Sequence, residues 1–197
     1  MNLEDCILTL DGVFNKTFSE YVIKYIDKLE SLKKLKQLEV GSSTKPQLDL
    51  TIRNVKGYHM LTNSYWNERQ TDVIYGRIIK DSIKTLFMNY KVKFPGINPL
   101  IDIDQIDLLK YNVGGHYKIH CDMGHNVNRS ISVIINLNDD YEGGELMFYS
   151  GPTNDHVVKK ISLKKGSMVF FPSNFLFPHR INPITRGTRY SIVAWMV

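Results

Sequence analysis

His120-Cys121-Asp122 is the first place in this 197-residue chain where residue types and spacing could do chemistry. The run around it is rich in β-forming residues, and in a strand residues i and i+2 point to one face, so the imidazole and the carboxylate can converge. A third ligand has to come from elsewhere. His179 stands at a Pro178-His179 junction, where a later strand-like run begins. Two imidazoles and one carboxylate on one side of an ion suit Fe(II) and leave three positions open for reactants. His-x-Asp alone often arises by chance in a chain with six histidines, and a surface histidine beside an acid is the plain alternative.

Arg189 supplies independent support. An arginine heading a strand inside a sheet-rich core is costly unless it meets an anion, and its planar fork matches a carboxylate bidentately. A dicarboxylate that chelates the metal at one end would bring that anion. The alternative is a structural ion pair with Asp122 or another acid. His116 and His120, with His125 nearby, could suggest zinc, but Gly114-Gly115 breaks a helix there, and along a strand His116 lies too far from a shared tetrahedral shell. Strand alternation turns Cys121 away from the metal, towards packing. His59 and His156 read as surface or loop residues.

The elements that must position these residues fall into two blocks. Thr17 followed by Glu20 is a capping-box pattern, and Phe18, Val22, Tyr25, Ile26, Leu29 and Leu32 recur at helical spacing, so a helix is predicted over about 18 to 36. Ile74, Ile78, Ile79, Ile83, Leu86 and Phe87 signal a second helix beside it, starting at Asn67 or Thr71 and ending before Pro95. From Asp107 onward the texture is short β-rich runs: 107–111, 117–122, 130–137, 145–149, 157–163, 167–172, 180–184 and 190–197, punctuated by Gly, Pro, Asn and Asp. Helices first and strands after imply an α+β fold, a double-stranded β-helix (jelly roll) backed by N-terminal helices. The expected organisation is one domain over 1–197, with 1–100 mostly helical support and 107–197 the jelly-roll core. The segment Tyr65-Trp66-Asn67-Glu68-Arg69 reads equally as a substrate cover or as a loop before the helix.

Composition is that of a globular protein, with 43% hydrophobic and 23% charged residues, and no apolar run approaches the ~20 residues of a membrane span. Two cysteines cannot make a disulfide framework, and acids near the N-terminus leave no secretory signal pattern, so a cytoplasmic protein without a membrane partner is expected. The net charge is +5, but the lysines are interleaved with acids, and no basic and aromatic stripe is present to hold a nucleic acid.

Several ordered words carry a resemblance: residues 111–122 (Tyr-Asn-Val-Gly-Gly-His-Tyr-Lys-Ile-His-Cys-Asp), Arg129 through Leu137-Asn138, Gly143-Gly144-Glu145-Leu146, residues 165–171 (Lys-Gly-Ser-Met-Val-Phe-Phe), Pro178-His179, and Arg189-Tyr190-Ser191-Ile192. Over residues 107–197 the chain resembles the 2-oxoglutarate and Fe(II)-dependent oxygenases, in their prolyl 4-hydroxylase-like branch. The resemblance implies His120, Asp122 and His179 as iron ligands, Arg189 as partner of the distal 2-oxoglutarate carboxylate, Tyr111 as a pocket wall, and Ser191 and Trp195 as further lining. Asn136 stands where many relatives carry a tyrosine that binds the cosubstrate, and its amide is expected to donate to the carboxylate instead. Collagen-type enzymes carry lysine where Arg189 stands, so the likeness leans to bacterial and oxygen-sensing relatives. Fe(II), 2-oxoglutarate and O2, with ascorbate as an optional addition, are the implied cofactors and cosubstrates. The implied reaction is hydroxylation of prolyl residues in a peptide or protein, with release of succinate and CO2. Hydroxylation of a free amino acid or other small molecule, and a non-catalytic jelly-roll binding module, remain as alternatives.

Overall fold

The apolar stripe Val22, Tyr25, Ile26 and Leu29 is buried on one face of α1 (Lys16–Ser31). Its cap is Asn15, whose side chain accepts from the Phe18 backbone N–H at 2.8 Å, just ahead of the expected Thr17 box. The helix stops at Ser31, short of 36: Lys33 turns left-handed (φ 57°), and the N–H groups of Lys33 and Lys34 return to the carbonyls of Glu30 and Leu29. That is a Schellman close, hard to foresee because lysine occupies the place where glycine usually stands.

A computed structural model describes residues 2–40, 46–62, 65–66, 69–97, 102–124, 128–150 and 156–197. The remaining elements of the N-terminal half are a 3-10 turn at Leu3–Cys6, β1 (Leu8–Leu10), β2 (Lys36–Gln37), β3 (Arg53–Asn54), β4 (Lys56–Thr62), β5 (Tyr65–Trp66) and α2 (Gln70–Lys93). The C-terminal half follows as β6 (Ile103–Tyr111), β7 (His116–His120), β8 (Ile131–Asn136), β9 (Glu142–Gly143), β10 (Leu146–Ser150), β11 (His156–Ile161), β12 (Met168–Pro172), β13 (His179–Ile181), β14 (Ile184–Arg186) and β15 (Arg189–Met196). The larger sheet runs β1-β12-β8-β15-β6-β4-β2, with β5 beside β4; the smaller runs β11-β10-β13-β7-β3, and β14 pairs β9. Neighbouring strands are antiparallel throughout these pairings. The N-terminal half is therefore less helical than expected, since β1, β2 and β4 extend the larger sheet and β3 edges the smaller. Asn67 and Glu68 of the 65–69 segment, and His125, lie outside the described residues.

The larger sheet is buried on both faces. Val22, Ile26, Leu29, Ile79, Ile83 and Phe87 of the helices pack on Leu108, Ile135, Phe170, Ile192 and Ala194. Leu109, Ile134, Val193 and Trp195 on its other face pack on Leu146, Phe148 and Ile181 of the smaller sheet. Along β15 the period of two is plain: Ile192, Ala194 and Met196 face the helices, while Val193 and Trp195 face the second sheet. The helices meet through Tyr75, whose ring lies edge-on to those of Phe18 and Tyr25, and through the Tyr25 hydroxyl, which donates to buried Asp72 at 2.7 Å. No helix among the described residues is long and apolar enough to cross a membrane.

Glu145 ties three chain segments of the smaller layer together. It pairs with Lys160 at 2.9 Å and accepts from Asn182 at 3.0 Å, and those two partners push its carboxyl down to about 2. A depressed folded-state carboxyl stabilises above its ordinary value and loses that contribution as the pH falls through the folded one. Acid unfolding of Glu145→Gln is accordingly expected to have a shallower pH dependence between 4.5 and 2, by about 1 kcal/mol after allowance for solvent screening. Titration by far-ultraviolet circular dichroism checks it; superimposable acid limbs would contradict it.

Candidate active site

Strand pairing builds the site. β13 and β7 run antiparallel with His179 opposite His120, so the two rings lie 4.3 Å apart between centroids. Asp122 falls just past the end of β7 rather than within a strand, where alternation would put it, but the turn still brings its carboxylate between the rings. Nε2 of His120 is 3.6 Å from Asp122 Oδ1, and Nε2 of His179 is 3.6 Å from Oδ2. The three side chains offer ligand atoms within 4.8 Å of one another, a spread that one metal ion could bridge.

The imidazoles are oriented from behind. Nδ1 of His120 lies 2.8 Å from the Lys118 carbonyl and Nδ1 of His179 lies 3.0 Å from that of Phe177. A carbonyl only accepts, so each Nδ1 carries a hydrogen, and the Nε2 atoms are the ones left to serve as metal ligands. His179 is walled by Phe148 and Phe171, and burial, followed by the neighbouring His120, pushes its pKa down to about 4. Burial pushes the Asp122 carboxyl up, but the two imidazoles and the Ser132 hydroxyl outweigh it and hold it well below the usual carboxylate range. At neutral pH the cluster therefore holds a carboxylate beside a buried, neutral His179.

Arg189 lies on the larger sheet facing this group, 1% exposed. Nε donates to Asn136 Oδ1 at 3.2 Å, and the guanidinium carbon sits 5.0 Å over the Tyr111 ring, its register partner on β6. Nη1 and Nη2 are buried with no hydrogen-bond partner among the described residues. The structural alternative of an ion pair between Arg189 and Asp122 does not occur; Asp122 is engaged by Ser132 and the histidines. A desolvated fork with both tips unpaired is strongly unfavourable unless a carboxylate completes it, and this chemistry fits a dicarboxylate chelated at the triad. Gly144 gives the arginine its passage: φ is 68°, and a Cβ there would meet Arg189 Cδ at 3.2 Å and Ile184 Cδ1 at 2.5 Å.

The pocket between the layers is lined by Tyr111, Ser191 and Trp195 together with the triad and Arg189. Burial raises the Tyr111 pKa, so its phenol stays protonated at neutral pH. Trp195 is held by Arg129, whose guanidinium stacks on the indole at 3.6 Å and donates to the Asp122 carbonyl and to Gln105. Asn136 departs from expectation. Its amide nitrogen donates to the carbonyls of Asn138 and Leu163, so neither hydrogen is left for a cosubstrate, and its oxygen instead receives Arg189 Nε. It is a positioning residue for Arg189. His116 turns its ring to the carbonyls of Gly114 and Thr51 and takes no part. Two lining residues carry no sequence signal of their own: Tyr117, whose ring stacks on His120 at 3.6 Å, and Arg53, whose guanidinium lies over the Tyr117 ring.

Residues 106–197 match the sequence model described as the 2OG-Fe(II) oxygenase superfamily. That matched stretch holds the triad and Arg189. A PKHD-type hydroxylase of Idiomarina loihiensis is 25% identical over 148 residues, which cover 73% of this chain and 60% of that protein. A PKHD-type hydroxylase of Hyphomonas neptunium is 33% identical over 96 residues, 44% of this chain and 40% of that one. The chain thus spans between two-fifths and three-fifths of these curated relatives. Among solved structures, a prolyl hydroxylase from Trichoplax adhaerens, in complex with a hypoxia inducible factor peptide fragment, superposes with a TM-score of 0.75 at 19% identity, over 98% of this chain and 83% of that one. A Pseudomonas putida prolyl-4-hydroxylase gives 0.70 at 18%, over 97% and 92%. The jelly-roll fold of the prolyl hydroxylases therefore extends over the N-terminal helices as well.

Proposed function

We propose that this protein is an Fe(II)- and 2-oxoglutarate-dependent dioxygenase that hydroxylates prolyl residues in a peptide or protein. The observation that carries the proposal is the pair of unpaired Nη groups of buried Arg189 facing an open-sided His120, Asp122, His179 cluster. His120 and His179 would bind Fe(II) through Nε2 and Asp122 through its carboxylate, while Arg189 would fork onto the distal carboxylate of 2-oxoglutarate. When bound, the iron supplies the oxidising chemistry, coupling reduction of O2 and decarboxylation of 2-oxoglutarate with oxygen insertion into a C–H bond. The protein's own work is geometric. Lys118 and Phe177 carbonyls fix the imidazoles, Asn136 aims Arg189, and Tyr111 with the aromatic wall keeps water from the anchored end. The hydroxylase names of the relatives and the prolyl hydroxylase fold support the prolyl substrate.

The test is mass spectrometry of blocked prolyl peptides and of free proline, incubated with protein, Fe(II), 2-oxoglutarate and O2. A gain of about 16 Da on a peptide, matched by succinate, is expected. Oxidation of free proline with every peptide untouched would replace the peptide reading with the small-molecule one.

A further inference from the structure

Arg53 is the charge in the pocket that the proposed chemistry does not use. It heads β3, the edge strand of the smaller sheet, directly opposite Tyr117 on β7. Its guanidinium carbon lies 4.7 Å over the Tyr117 ring, and Tyr117 stacks in turn on His120, so a single side chain stands between Arg53 and the triad. One tip, Nη1, donates to the Glu39 backbone carbonyl at 3.1 Å. Nε is buried without a partner, and no carboxylate pairs with Arg53 among the described residues. The acid nearest in sequence, Asp49, directs its carboxylate to the Thr51 N–H and hydroxyl.

The charge balance makes this more than a structural stack. With imidazoles as neutral ligands, a divalent ion, a dicarboxylate, Asp122 and Arg189 cancel, which leaves Arg53 as the unbalanced cation among the lining residues. A guanidinium stacked on an aromatic face, with a donor to spare, is preorganised for a carboxylate. We infer that Arg53 receives a carboxylate carried by the substrate close to its target prolyl ring, so that the substrate class is an acidic prolyl segment. The inference rests on the prolyl hydroxylase reading above. The same chemistry could come from an Asp or Glu side chain beside the proline or from a main-chain carboxylate.

Blocked peptides with one central proline, carrying Glu or Gln at each flanking position in turn, separate these sources when run beside unblocked peptides ending at proline and free proline. Hydroxylation kinetics and anisotropy of labelled peptides on the Mn(II)- and 2-oxoglutarate-loaded protein are measured in parallel. At the best position, Glu over Gln is expected to give about tenfold in kcat/KM, mostly in KM, and the advantage should shrink at high salt. The ratio should collapse to within about twofold in R53Q, recover in part in R53K, and invert towards Lys-bearing peptides in R53E. A preference confined to a free C-terminal carboxylate would assign Arg53 to the main chain and overturn the acidic-segment class. Hydroxylation without any Glu preference, or a preference that survives in R53Q, would overturn the inference and leave the prolyl reading standing. Glu-selective binding that R53Q removes, with no prolyl oxidation at all, would do the reverse.

Discussion

Replacing Asp122 or His120 by alanine is expected to lower Mn(II) or Fe(II) affinity by more than about a hundredfold and to bring 2-oxoglutarate turnover to background, because each removes one of three direct ligands. The variants should still fold. The burial cost of the Asp122 carboxylate is offset by the two imidazoles and the Ser132 hydroxyl, so its removal costs those local contacts while both hydrophobic clusters of the core stay intact. Isothermal titration with Mn(II) and a succinate assay, alongside thermal unfolding, make the distinction. Normal metal binding by a folded D122A protein would rule out a metal centre at this cluster.

The second large effect concerns the cosubstrate. Arg189→Ala should raise the 2-oxoglutarate dissociation constant roughly 30- to 4,000-fold, from the ~2–5 kcal/mol that a buried bidentate carboxylate contact contributes. Metal affinity should hardly change, since Arg189 touches no ligand atom. A second measurement separates function from architecture. The Nη groups are buried and unpaired, so Arg189→Met is expected to be at least as stable as wild type without 2-oxoglutarate and to lose the stabilisation that 2-oxoglutarate confers on wild type. Arg189→Lys should recover part of the affinity, because a point charge cannot reproduce the fork. A destabilised R189M protein that binds 2-oxoglutarate normally would make the residue structural.

Much of this site is legible in the amino-acid sequence because it hangs on two-residue periodicity. Arg189, Ser191, Val193 and Trp195 alternate with Tyr190, Ile192 and Ala194 along one long strand, so their common face follows from parity. The β-rich runs after residue 106 are bounded by glycines and prolines, and their ends are placed within a few residues. The rest lies where local signals fail. β2 and β3 are two residues long, and β4 reads Lys-Gly-Tyr-His-Met-Leu-Thr, whose buried positions come in pairs rather than in alternation. Without β3 placed against β7, nothing brings Arg53 near Tyr117. The role of Asn136 is hidden for a different reason. Its amide hydrogens go to Asn138 and to Leu163, the latter far along the chain, and a side chain's partners at that separation are set by tertiary packing.

The most direct test is a crystal structure of the protein soaked anaerobically with Mn(II) and 2-oxoglutarate. Manganese is expected on His120 Nε2, Asp122 and His179 Nε2, with the distal carboxylate of 2-oxoglutarate on Nη1 and Nη2 of Arg189. Manganese bound elsewhere, or a carboxylate that leaves both Nη groups of Arg189 unpaired, would contradict the proposed site.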